Sequence, residues 1–190
     1  MLNEFAGPTY EIPRPRRPGG HVLFLDFDGV LHPENVFLLH RRGPTLQDSP
    51  GHRLFEHCEL LEELLASYCD VHIVLSTSWV RRYRGSIHRV SHRLTPGLRV
   101  RVIGATYHSR MDAAEFAQAP RGMQVWGDVL RRKPSAWLAL DDDYLHWPAW
   151  CREQLVRTDP LLGIGEPHVL AELKAKLKKV FGGDGAESHG

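Results

Sequence analysis

Cysteine is scarce: the 190 residues hold three (Cys58, Cys69 and Cys151), an odd number without close spacing. That argues against a disulfide scaffold and against a thiolate zinc site, and points to a reducing compartment. Long apolar runs are also missing. None approaches the ~18–20 residues of a membrane helix, and the first residues carry no apolar stretch of the secretory type. A cytoplasmic protein without a membrane partner is the expectation. Neither sign of charge dominates: 24 Lys and Arg face 23 Asp and Glu, for a net charge of +1. Overall charge therefore does not mark the chain as a nucleic-acid binder. No HExxH-type spacing exists, so His32, His40, His52 and His57 are expected to be scattered surface residues without a metal role. Internal repeats and linkers are absent.

What is present is an ordinary globular composition, 42% hydrophobic and 25% charged. The length suits one domain and suffices to bury a core. Residues 1–20, with PRPRRPGG at 13–20, read as an extended, mobile leader. Residues 182–190 read as a disordered tail, which leaves a single domain over 21–181.

The ordered chain opens with HVLFLDFDGV (21–30), an apolar run that ends in two aspartates and a glycine. Such a run suits a strand buried on both faces of a parallel sheet. Residues 31–52, with Pro33, Gly43, Pro44, Pro50 and Gly51, read as a loop or flap. Helical spacing of Leu54, Phe55, Cys58, Leu61, Leu64 and Leu65 predicts a helix over 54–67. VHIVLS (71–76) predicts a second strand, 79–93 an Arg-rich helix, and LRVRVIG (98–104) a third strand. A helix over 121–132 ends before Pro134. AWLALDDD (136–143) predicts a fourth strand, EQLVRT (153–158) a short fifth, and 168–181 an amphipathic last helix. Alternating strands and helices imply an α/β fold, a mostly parallel central sheet with helices on both faces. Ligands bind beyond the carboxyl ends of such strands. Three strands end in polar groups there: Asp26 and Asp28; Ser76, Thr77 and Ser78; Asp141, Asp142 and Asp143.

Carboxylates crowded on one rim repel one another, and a divalent cation relieves them. Magnesium takes oxygen ligands, typically a few carboxylates, waters and a substrate phosphate. Asp26 and Asp28, two apart, can divide the labour of nucleophile and proton carrier. Gly29 lets the chain turn sharply. Ser76, with Thr77 and Ser78 as competitors, can hold a phosphate oxygen ahead of a helix N-terminus. Arg121 and Lys133 are the nearest cations upstream of the acidic strand. An EF-hand fails for want of a third acid before the glycine. A receiver domain fails because VHIVLS carries no acceptor aspartate. Trp79 reads as packing. Arg81, Arg82, Arg84, Arg89 and Arg93 read as a solvated helix face, and Lys174, Lys176, Lys178 and Lys179 suit a helix C-terminus. Thr158 and Asp159 read as turn caps.

DFDGV (26–30), IVLSTSW (73–79) and LALDDD (138–143), in this order, resemble the haloacid dehalogenase (HAD) superfamily of phosphohydrolases. A narrower similarity, through DGVLHP (28–33), LSTSW (75–79), ALDDD (139–143) and VRTDPLLGIG (156–165), is to small bacterial domains also found in RNA-repair proteins. The resemblance implies a Rossmann-like fold and a Mg2+-dependent phosphomonoester hydrolase. Asp26 would form an aspartyl-phosphate, Asp28 would be general acid and then base, and Ser76 would hold the phosphoryl group. Mg2+ would sit on Asp26, the backbone carbonyl of Asp28, and Asp141 or Asp142. Arg121 or Lys133 would supply the positive charge. Residues 31–52 and 105–120 are too short for a large cap domain, so an open site is expected. A nucleic-acid end, a nucleotide or a phosphoprotein are the open substrate classes. A phosphate-binding or nucleic-acid-binding module with lost catalysis, and a phosphotransferase, are the alternatives.

Overall fold

The computed structural model describes residues 14–39 and 43–182. Most of the expected leader (1–13), three residues of the expected loop (40–42, including His40) and the tail from 183 lie outside the described residues. Five strands form one parallel sheet in the order β5-β4-β1-β6-β7: β1 (His21–Leu25), β4 (Val71–Leu75), β5 (Val102–Ala105), β6 (Ala136–Asp141) and β7 (Leu155–Arg157). β1 is central, and Val22 to Leu25 are fully buried. Leu23 and Leu25 join a core with Leu61 and Leu65 of α1 (Cys58–Leu65), Leu98 of α4 (Pro96–Arg101) and Leu173 and Leu177 of α7 (Pro167–Phe181). Val22 and Phe24 point the other way, to Val125 and Val129 of α6 (Arg121–Arg132) and to Trp147. The period-2 alternation of a strand thus feeds two cores, and helices cover both faces. A short 3₁₀ helix (Ala149–Gln154) leads into β7.

Three expected elements are corrected. The segment 31–52 is not all loop: β2 (Val36–Leu39) and β3 (Gly43–Leu46) pair antiparallel as a small hairpin. The expected helix over 79–93 is broken into α2 (Ser78–Arg82) and α3 (Ile87–Ser91), because Arg84 and Gly85 both take positive φ between them. Residues 98–101 of the expected third strand are helical. Thr95-Pro96 starts α4 with proline in its first turn. Arg101 then donates to the carbonyls of Leu65, Tyr68 and Val71, tying α4 to the end of α1. Only Val102 onward is strand. Between β5 and α6 lies one six-residue helix, α5 (Ala113–Gln118), so neither insertion point holds a cap domain among the described residues. The described end of the leader is tied down: Arg17 O accepts from Arg132, and Gly19 N–H donates to Arg132 O.

Register positions the site. Leu25 of β1 lies opposite Leu75 of β4 and Leu140 of β6. The next residue on each chain segment, Asp26, Ser76 and Asp141, therefore lies side by side with the others at one level, with Asp141 as the last residue of β6. Backbone bonds continue the ladder there: Asp26 N–H to Leu140 O at 3.1 Å and Ser76 N–H to Leu25 O at 2.9 Å.

Candidate active site

Asp26 is buried, and its Oδ1 accepts the N–H of Phe27 at 2.7 Å. Arg121, at the start of α6, reaches back to this level. Its Nη2 lies 3.3 Å from Asp26 Oδ2, and its Nε lies 3.3 Å from Asp141 Oδ2. Its Nη1 donates to Ser76 O and to Gln124 Oε1. Gln124 in turn donates to the carbonyls of Phe116 and Ala119, which braces the guanidinium against α5. One guanidinium fork thus binds three strand ends.

Asp26, Asp141 and Asp142 each bring a carboxylate oxygen within 4.8 Å of the others. Their protonation shows how crowded they are. Burial raises the Asp26 carboxyl, with Asp28 adding to the rise and Arg121 opposing it. Burial and Asp26 push Asp141 well above the carboxylate range against the pull of Arg121. Burial, then Asp26 and Glu34, push Asp142 up to about 7. Burial works against the charge of Arg121, but Asp26 and Asp141 more than offset it and hold its pKa above the ordinary value. One arginine does not neutralise the three acids. The donors are all carboxylate oxygens, and among the described residues Asp141 Oδ2 is buried with the Arg121 ion pair but no hydrogen bond. A hard divalent cation fits this donor set.

Gly29 lets these groups approach. Its φ is +69°, and a Cβ there would sit 2.5 Å from Asp142 Cγ. Thr158, just past β7, donates to Gly29 O at 2.7 Å and pins the turn. Ser76 is buried, and its Oγ has no hydrogen-bond partner among the described residues. Thr77 works against the rise of the Asp26 carboxyl and caps α2 by accepting the N–H of Trp79. Asp143 turns away: its backbone N–H donates to Asp141 Oδ1, and its own side chain accepts from Leu145.

Asp28 sits beside this cluster with its carboxylate engaged elsewhere. Its Oδ1 accepts from Trp79 Nε1 at 2.8 Å and lies 3.1 Å from His32 Nε2. Its side chain is outside the carboxylate cluster, so only its backbone carbonyl is left as an expected ligand. Lys133 is the other correction. It is the left-handed cap at the C-terminus of α6, beside Gly19 and Gly20 at the amino ends of the strands. A helix of this length, ~18 Å, separates it from Arg121. Sequence reasoning missed two groups that meet Asp28. His32 was expected on the surface and is fully buried. Trp79 packs as expected but also donates. The DGVLHP string holds the one sequence signal, a histidine four residues after the second aspartate. Arg82, Arg84, Arg89 and Arg93 are exposed, as a solvated face requires, and Arg81 is half-buried.

The family described as the HAD domain in Swiss Army Knife RNA repair proteins matches residues 22–169. The chain belongs to this HAD family. The match spans every strand of the parallel sheet from Val22 onward and all the residues of the site. No curated protein and no solved structure matches the chain. No helix among the described residues is long and apolar enough to cross a membrane.

Proposed function

We propose that this HAD domain is a magnesium-dependent phosphomonoester hydrolase whose nucleophile is Asp26. The observation that carries the reading is the shared level of Asp26, Ser76 and Asp141, bridged by Arg121. Asp26, Asp141, Asp142 and the backbone carbonyl of Asp28 would hold Mg2+. When bound, the cation offsets carboxylate charge and the charge that develops on the transferring phosphoryl oxygens.

This chain's residues supply the rest. Ser76 Oγ, buried and unpartnered, donates to one phosphoryl oxygen, with Thr77 beside it. Arg121 neutralises the other side. A carboxylate oxygen of Asp26 attacks phosphorus, and the bond to the leaving oxygen breaks as Asp28 gives that oxygen its proton. The product is a phosphorylated Asp26 and a free alcohol. Asp28, now a carboxylate, takes a proton from water. The water oxygen attacks phosphorus, the bond to Asp26 breaks, and inorganic phosphate leaves.

The substrate class best supported is a phosphorylated nucleic-acid end. The family's description concerns RNA repair, and the absence of a cap domain among the described residues leaves room for a large substrate. The test measures phosphate release from p-nitrophenyl phosphate, a nucleoside monophosphate, and 5′- and 3′-phosphorylated oligoribonucleotides. Expected are Mg2+ dependence, preference for an oligonucleotide, and a loss of at least about 10³-fold in Asp26→Asn. Activity that survives in Asp26→Asn, or that ignores Mg2+, overturns the mechanism. Preference for the free nucleotide overturns the substrate class.

A further inference from the structure

Asp28 Oδ1 is met by two ring nitrogens, one from four residues on and one from 51 residues on. Trp79 Nε1, at 2.8 Å, is a donor only. His32 Nε2, at 3.1 Å, is a donor or an acceptor according to its tautomer, and the other ring nitrogen decides which. His32 Nδ1 accepts the backbone N–H of Phe55 at 3.2 Å. A nitrogen that accepts carries no proton, so the proton of the neutral ring is on Nε2 and points at Asp28. Phe55 holds a left-handed backbone, φ +62°, rare for a non-glycine residue, where it presents that N–H to the ring.

The surroundings make the arrangement stiff. His32 is fully buried and Trp79 nearly so. Phe27, Phe55, Trp79 and His32 pack edge to face at 4.8–6.0 Å between ring centroids. Asp28 is the polar outlet of this aromatic shell, with its side chain 20% exposed. An oxygen that accepts two N–H bonds cannot also direct a carboxylic proton at those donors. The remaining oxygen, Oδ2, is free of both.

We propose that His32 and Trp79 are positioning residues: their N–H groups fix Asp28 Oδ1 and leave Oδ2 as the atom that hands the proton to the leaving group and later receives one from water. This rests on the reading of Asp28 as the proton carrier. Neither ring touches the substrate phosphate in this scheme, so each acts only through Asp28.

The experiment has a spectroscopic arm and a kinetic arm. In ¹⁵N-histidine-labelled protein, His32 Nδ1 is expected in the pyridine-type range and Nε2 in the pyrrole-type range. The Trp79 indole proton is expected to lose its downfield position in Asp28→Ala. A protonated Nδ1, or an indole signal indifferent to Asp28→Ala, overturns the proposal without reference to activity. The kinetic arm measures kcat/KM over aryl phosphates from p-nitrophenyl to phenyl, whose leaving groups increasingly need a proton. Trp79→Phe keeps an aromatic ring at this position and removes the N–H. It is expected to lose about 10- to 100-fold on phenyl phosphate and less than about threefold on p-nitrophenyl phosphate. His32→Leu is expected to behave likewise, and His32→Gln, which restores a donor at the same reach, to recover most of the loss. This pair keeps the test open if Trp79→Phe fails to fold. Equal losses on all leaving groups, or no rescue by His32→Gln, overturn the proposal while leaving the phosphatase reading intact. A wild type inactive on every phosphate refutes the phosphatase reading, and the proposal falls with it.

Discussion

Replacing Asp142 by Asn should stabilise the metal-free protein. The pKa of Asp142 rises from 3.8 to about 7, through burial and then through Asp26 and Glu34. The folded value lies above the unfolded one, so the folded state holds its proton more tightly. Below pH ~4 the group is protonated in both states and costs nothing. As pH rises from there to about 7 the folded state loses stability, and above that the penalty is complete. Three units at ~1.4 kcal/mol each give an upper bound of about 4 kcal/mol. Partial exposure and relaxation of the rim reduce this to about 2 kcal/mol. Asn has nearly the shape of Asp and meets Gly29 in the same way, so packing is preserved. For a chain of this size the gain corresponds to a Tm about 4–8 °C higher. The assay is thermal unfolding by circular dichroism, with EDTA, at pH 4 and pH 8. The variant should match wild type at pH 4 and exceed it at pH 8, and millimolar Mg2+ should raise the Tm of wild type but not of the variant. A variant that melts at or below wild type at pH 8, or a difference independent of pH, refutes the picture of an acid cluster short of positive charge.

Ser76→Ala should leave Tm unchanged or raise it, by up to ~1–2 kcal/mol of stability, because its hydroxyl is buried without a partner. The same variant should lose on the order of 10² in kcat/KM with p-nitrophenyl phosphate, so a variant that keeps full activity counts against a phosphate role. Gly29→Ala would place a methyl 2.5 Å from Asp142 Cγ at a positive φ. It should cost about 2 kcal/mol or more and weaken Mg2+ binding, measured by calorimetric titration. Lys133→Gly should stabilise the protein by about 1 kcal/mol, since Lys133 sits at φ 52° in the left-handed region. It should leave phosphatase activity within about twofold, a change within ordinary surface effects; a large loss would reinstate Lys133 as the catalytic cation.

The parts of the fold visible in the sequence are those where one environment covers a whole segment. β1 and β6 are buried on both faces over most of their length, so VLFL and AWLAL read as uninterrupted apolar runs. α6 carries its own boundaries, with Arg121 after Pro120 and Pro134 after its cap. α4 was hidden because Leu98, Val100 and Val102 alternate like a strand, although Val100 ends up 78% exposed. Pro96 starts that segment as a helix, and Arg101 at its end holds it to carbonyls more than thirty positions away. The hairpin of β2 and β3 was masked by Gly43 and Pro44, which read as breakers yet begin β3.

The site divides in the same way. The strand-end acids and Ser76 are legible because register follows from the apolar runs that precede them. Arg121 and Lys133 are separable only once α6 has a direction relative to the sheet. His32 and Trp79 are invisible as partners of Asp28, because a buried imidazole and an exposed one look alike in a sequence. Trp79 meets Asp28 across 51 positions.

The most direct test of Asp26 as nucleophile does not need the natural substrate. Beryllium fluoride is a tetrahedral phosphoryl mimic that bonds to a nucleophilic carboxylate beside Mg2+. ¹⁹F NMR of the full chain with beryllium fluoride and Mg2+ should show bound fluoride resonances. They should vanish when Mg2+ is withheld and in Asp26→Asn, while Lys133→Gly retains them. Bound resonances that persist in Asp26→Asn, or none in the wild type with Mg2+ present, would contradict an aspartyl-phosphate at Asp26.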